Sequence, residues 1–170
     1  MKYDLMGTEK VKESIRERIE LLKEEKVKVR CKVLYGSYCS KSKKGEGEFD
    51  WNEGWRSYMV GDIYKGWRWD WIRDRVKSLG VEKDVFVFSG KYGVIGYLEK
   101  ISWYDKYFGV DDLEEGKEWV RDWCRKMIEK YGKFKLVYWI DEDVLRKSRQ
   151  YVSVMEVMKE FDCELEIELI

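Results

Sequence analysis

Alanine, proline and histidine are absent from this 170-residue chain, and threonine, glutamine and asparagine occur once each, as Thr8, Gln150 and Asn52. Every codon for Ala, Pro, His, Thr and Gln carries a cytosine at its first or second position. All other residue types can be written without one. The coding strand of the gene is therefore expected to be poor in cytosine, and abundant C at third positions would overturn that reading. Asn52 falls outside the rule, since asparagine needs no cytosine. The missing histidine thus reflects mutational bias as much as site chemistry, yet it leaves any cysteine nucleophile without its usual partner base. Cys31, Cys39, Cys124 and Cys163 form no Cys-x-x-Cys pair. The common structural zinc motifs are excluded, and no metal or cofactor is expected. Disulfides among the four would need an oxidising compartment or a hyperthermophilic source.

Long apolar runs are also lacking. No stretch approaches the ~20 residues of a membrane span, and Met1-Lys2-Tyr3-Asp4 leads into a charged helix rather than a signal peptide. A cytoplasmic protein without a membrane partner is expected. Net charge is zero, with 34 basic and 34 acidic side chains. That argues against coating nucleic acid by bulk charge and leaves room only for local basic patches. Apolar residues at 44% and charged residues at 40% suit a folded chain rather than a disordered one. Abundant Lys and Glu beside scarce Asn and Gln fit a hot habitat. No pattern sets an oligomeric state.

What is present alternates between two periodicities. Residues 8–26 place Val11, Ile15, Ile19 and Leu22 on one helical face, with Thr8 at the N-cap. A strand follows over 27–35, half exposed early and buried late. Residues 36–61 read as a long loop. Helices are expected from about Asp62 or Tyr64 to Leu79, over 111–131, and from Asp141 or Asp143 to about Phe161. Strands are expected at 84–88, Phe134–Ile140 and Cys163–Leu169. The order αβαβαβαβ predicts a single α/β domain spanning 1–170, in three Rossmann-like layers. Its sheet has about four strands, mostly parallel, with helices flanking it. Glu164, Glu166 and Glu168 make the last strand acidic on one face and hence an edge. Its basic neighbour is either the first strand, with Lys28, Arg30 and Lys32, or the third, with Lys133 and Lys135.

Ligands of open parallel sheets bind beyond the carboxyl ends of strands. After the first strand stands Ser37-Tyr38-Cys39-Ser40-Lys41-Ser42-Lys43, and after the second Ser89-Gly90-Lys91-Tyr92-Gly93. Small residues offer donors and close backbone approach, and lysine adds a movable positive charge. The combination suits a phosphate or a polarised carbonyl. It is not a P-loop, since GxxxxGK[ST] is absent.

Cys39-x-Lys41-x-Lys43, then Ser89-Gly90-Lys91-Tyr92-Gly93, then Tyr104-Asp105 resembles an uncharacterised family of bacterial, archaeal and phage proteins. Its hallmarks are C-G-K-x-K, S-A-K-Y-G-L and P-Y-D. More distantly the stretch is similar to a uracil-DNA-glycosylase-like domain of archaeosine synthase. The likeness spans roughly residues 28–140. It implies a Rossmann-like three-layer fold and a link to nucleobases. The chain departs from the family at Gly90, Val94 and Trp103, and the glycosylase water-activating signature G-Q-D-P-Y is absent.

The reading that follows is a nucleobase- or nucleotide-binding domain, with an enzyme acting on a modified base or nucleotide as its catalytic form. A nucleobase, a nucleotide or single-stranded nucleic acid is the expected partner. Cys39 is the candidate nucleophile, Lys43 and Lys91 would hold anionic or carbonyl oxygens, and Asp105 would transfer a proton or orient a lysine. Ser37, Ser89, Gly90, Tyr92, Gly93 and Tyr104 would contact the substrate, with Tyr104 stacking on a base. Each residue also has an ordinary explanation: a buried cysteine at a strand end, solvated lysines, a salt-bridged aspartate, packed tyrosines. Asp141, Glu142 and Asp143 form a carboxylate cluster better explained as a helix N-terminus than as a Mg²⁺ site. The alternative function is a non-catalytic viral or mobile-element interaction protein that keeps the fold, with Trp51 and Trp55 on its binding surface.

Overall fold

A computed structural model describes residues 9–20 and 31–170. These fall into two units, one within Met1–Cys31 and one over Lys32–Ile170. In the first, residues 9–20 are helical (α1). The expected cap Thr8, the residue Leu22 and the early strand positions 27–30 lie outside the described residues.

The second unit runs β1 (Lys32–Tyr38), β2 (Phe49–Asp50), β3 (Gly54–Trp55), β4 (Ser57–Met59), α2 (Val60–Ile63), α3 (Trp67–Leu79), β5 (Val85–Ser89), β6 (Gly93–Gly96) and β7 (Lys100–Ser102). It continues with α4 (Leu113–Tyr131), β8 (Phe134–Ile140), α5 (Glu142–Lys147), α6 (Gln150–Ser153), a 3₁₀ helix (Met155–Phe161) and β9 (Glu164–Leu169). The fold is mixed α/β, with six α-helices among the described residues. Its five-stranded sheet has the order β6-β5-β1-β8-β9, parallel except for β6.

Both faces of this sheet are covered. On one, Leu34, Phe88, Leu136 and Tyr138 pack with Val120 and Trp123 of α4 and with Met155 and Met158. On the other, Val85, Val87 and Trp139 pack with Ile63 of α2 and with Trp69, Ile72 and Val76 of α3. Six of the seven β8 residues are buried, which is why that strand is apolar at every position but Lys135.

The sheet has one strand more than the four expected. Gly93, at φ 74°, turns the chain after Tyr92 so that β6 folds back antiparallel onto β5. The first strand also reaches further than Tyr35, and its Ser37 and Tyr38 pair opposite Val87 and Phe88. Residues 36–61 are not one loop: β2 and β3 form a hairpin, and β4 pairs with β7. The last helix is broken at Ser148 and finishes as a 3₁₀ turn. There Met155, Met158 and Phe161 recur every third residue, the spacing that aligns side chains in a 3₁₀ helix. Of the two neighbours open to β9, the structure has β8. Lys135 Nζ lies 3.1 Å from Glu166, and Trp139 Nε1 donates to Glu168 at 3.1 Å. Among the described residues β9 is an edge of the sheet.

Candidate functional site

Because β1, β5 and β8 run parallel, the segments leaving them share one rim. The two sequence loops meet there directly: the Cys39 amide donates to the Phe88 carbonyl at 3.0 Å. Ser89 is fully buried. Its Oγ donates to Tyr104 Oη (2.9 Å) and accepts from the amides of Lys91 (3.2 Å) and Tyr92 (3.1 Å), closing the turn. Tyr104 Oη also lies 2.9 Å from Tyr64 Oη. Lys43 is 6% exposed. Its Nζ donates to the Lys41 carbonyl (3.0 Å) and stands 4.4 Å over the Tyr104 ring. Burial pulls the Lys43 pKa below the ordinary lysine value, against the opposing pull of Cys39 and Asp105.

Beyond this rim opens a cleft of about 630 Å³. Cys39, Lys41, Lys43 and Asp105 line it, as sequence reasoning anticipated for three of them. Its other walls are Lys65, Gly66 and Trp67 at the start of α3, Lys106 and Tyr107, and Asp141, Val144 and Tyr151. Five basic residues, with Arg68 the fifth, face two acidic ones.

Arg68 is the residue that sequence reasoning missed. It is 8% exposed and held by neutral acceptors. Nη1 donates to Ser37 Oγ (2.8 Å) and the Tyr38 carbonyl (3.0 Å), and Nη2 to the Cys39 carbonyl (3.0 Å). Its guanidinium lies 3.7 Å over the Tyr38 ring, a cation–π contact. Burial lowers its pKa, with the phenol of Tyr38 opposing. The Tyr38 hydroxyl, pushed up to about 12 by burial, completes no hydrogen bond among the described residues; the Asp141 amide acts on it from beyond bonding geometry.

Lys91 does not line this cleft. It lies on an adjoining hollow of about 540 Å³ with Trp55, Trp103 and Trp119, and Asp105 and Lys106 form the wall common to both. Several expected contact residues are engaged within the protein. Ser37 Oγ donates to the Trp139 carbonyl at 2.7 Å while accepting from Arg68. Gly90 lets the backbone of Lys106 and Phe108 approach, where an added Cβ would stand 3.2 Å away; Gly93 similarly faces the Trp119 ring. Tyr104 is 3% exposed and Tyr92 sits edge-on to it. Tyr92 is nonetheless 39% exposed, and of the rings lining the cleft Trp67 and Tyr107 are open, at 61% and 68% exposure.

Asp141 caps α5, its Oδ1 accepting from the amides of Asp143 (2.7 Å) and Val144 (3.2 Å). No group of three acidic or cysteine side chains among the described residues is placed to hold a metal. Gln150 donates to Tyr107 Oη (3.1 Å) and the Phe108 carbonyl (3.4 Å), tying the segment after Asp105 to α6. No helix among the described residues is long and apolar enough to cross a membrane.

Fold and cleft together define a mixed α/β protein with a basic, aromatic-walled pocket at the carboxyl rim of its sheet. Comparison with protein-family models, curated proteins and solved structures finds no match to this chain.

Proposed function

We propose that the chain is a cytoplasmic nucleobase- or nucleotide-binding domain on a three-layer Rossmann-like plan akin to uracil-DNA glycosylases, and that it acts on a modified base or nucleotide. The observation that carries this reading is the cleft beyond β1, β5 and β8, where cationic and aromatic walls meet at the rim favoured by ligands of parallel sheets. Lys43 and Arg68 attract anionic or carbonyl oxygens, and Trp67 and Tyr107 offer faces for a base. Cys39 Sγ is the candidate nucleophile and Asp105 the group that moves a proton or orients a lysine. Lys91, on the adjoining hollow with three tryptophans, is placed for the continuation of a single strand.

Ligand-dependent melting tests this. Nucleobases, nucleotides and short single strands are expected to raise the melting temperature of the wild type. Lys43→Met removes the shift for every ligand, and Lys91→Met only for strands. Cys39→Ser keeps the shift and abolishes turnover of any substrate found.

One observation favours a second reading. Trp51, 91% exposed, stands with Phe49 and Trp55 on the β2–β3 hairpin. Such a cluster suits the surface of a non-catalytic viral or mobile-element interaction protein. A melting temperature that no base, nucleotide or strand shifts would select that reading.

A further inference from the structure

Two cations are buried in the wall of one cleft with no carboxylate in contact among the described residues; Asp105 and Glu46 act on Lys43, and Asp141 on Arg68, only from a distance. Arg68 and Lys43 are 8% and 6% exposed, and neither has a carboxylate within 4.0 Å among the described residues. A buried charge is costly to leave uncompensated. Carbonyls and a hydroxyl orient Arg68 but do not neutralise it, and its three bonded N–H groups leave two of the five that a guanidinium carries.

A second feature opens onto the same cleft. α3, 13 residues long, begins after Gly66, which has φ 107° and ψ 164° and no capping side chain. That backbone region is essentially reserved for glycine. A Cβ at Gly66 would meet nothing within 4 Å. The first amides of α3 therefore have no side-chain cap, at the positive end of the helix dipole and next to the open position at Gly66.

We infer that the cleft holds a phosphate monoester, seated between Arg68, Lys43 and the start of α3, with Lys65 at its mouth. This rests on the nucleotide reading above and narrows it to ligands bearing a terminal phosphate. A monoester dianion matches two buried cations, where an internal phosphodiester brings one charge. Its oxygens suit the fork of an arginine and the amides of a helix start. At about 630 Å³ the cleft falls within the size range of small-molecule and cofactor sites. Trp67 and Tyr107 remain for the organic part.

Calorimetric titration tests it with inorganic phosphate, a nucleoside, its 5′-monophosphate, and a short single strand with and without a 5′-phosphate. The monophosphate is expected to bind at least tenfold more tightly than the nucleoside. The phosphorylated strand separates a strand terminus from a free nucleotide as the source of the group. Arg68→Met removes the phosphate preference but takes a packed side chain from the core. Lys65→Glu, at an exposed position, is the safer variant: it is expected to lose tenfold on the monophosphate and nothing on the nucleoside. Equal binding of nucleoside and monophosphate overturns the inference and leaves the base-binding reading intact. Binding of inorganic phosphate as tightly as the monophosphate supports the inference and removes the base. No binding by any of these ligands overturns both.

Discussion

Lys43 gives the cleft a pH dependence whose sign follows from its burial. Its pKa in the fold lies below the ordinary value of 10.5 because burial disfavours the charged form. An anionic ligand needs that charge, so affinity is expected to fall as pH rises through the lowered pKa, before an exposed lysine would titrate. Stability of the unliganded fold moves the other way. Lys43 costs stability below its lowered pKa, and the cost is relieved as pH rises to 10.5, above which it is neutral in both folded and unfolded states. Lys43→Arg keeps a charge throughout this range. Affinity for a nucleoside monophosphate measured against pH should show the alkaline limb in the wild type and not in Lys43→Arg; an identical limb in both would assign the titration elsewhere. Position 43 was legible in the sequence because small residues and lysines directly follow an apolar run. Arg68 was not, since a charge on an amphipathic helix reads as solvated. One signal was there: Arg68, Ile72 and Val76 recur every four residues, which puts the guanidinium on the buried stripe of α3. Its neutral acceptors come from a strand some thirty positions away, and no local pattern announces them.

Among the elements, α4 shows how a helix interior is fitted to the segment that carries Asp105. Gly116 sits in its first turns against Phe108, and an added Cβ would stand 2.6 Å from Phe108 Cζ and 3.0 Å from Val154 Cγ2. Phe108 is fully buried, edge-on to Phe88 at 4.8 Å, and can yield only by disturbing that packing. Alanine in a helix interior gains about 1 kcal/mol over glycine, whereas overpacking a core costs about 1–3 kcal/mol. Gly116→Ala is therefore expected to lower the denaturant midpoint, with a net loss of about 1 kcal/mol, while Glu114→Ala on the exposed face loses only a surface ion pair with Lys117 and first-turn charge, about 0.5 kcal/mol. A raised midpoint would mean that Phe108 moves aside. The long elements were legible for the same reason that α4 is stable: sustained periodicity over many residues, ended by Gly132 at φ 75°. Short ones were not. β6 has four residues bounded by glycines, and α5, α6 and the 3₁₀ helix divide a single apolar pattern at Ser148, where tertiary packing overrides the local signal.

Across the whole molecule, the floor of the cleft and the core beneath it share a set of buried phenols. Tyr38, Tyr64, Tyr104, Tyr138 and Tyr151 are each at most 8% exposed. Burial raises the pKa of every one above the ordinary 10.0, to about 12 for Tyr38. Sequence alone shows twelve tyrosines but not which are inside, because their burial depends on both sheet faces being covered. The folded state keeps these five protonated where the unfolded chain releases their protons. Their stabilising contribution is complete below about pH 10 and is lost as pH rises toward the folded values. Lys43 opposes this only up to 10.5. The fold should therefore lose stability as pH rises above about 10. Phenolate absorbance and loss of near-ultraviolet circular dichroism should then coincide in one steep step. Gradual ionisation of all twelve tyrosines near pH 10 with the fold intact would show that these hydroxyls reach solvent, and that the cleft floor is open where the structure has it sealed.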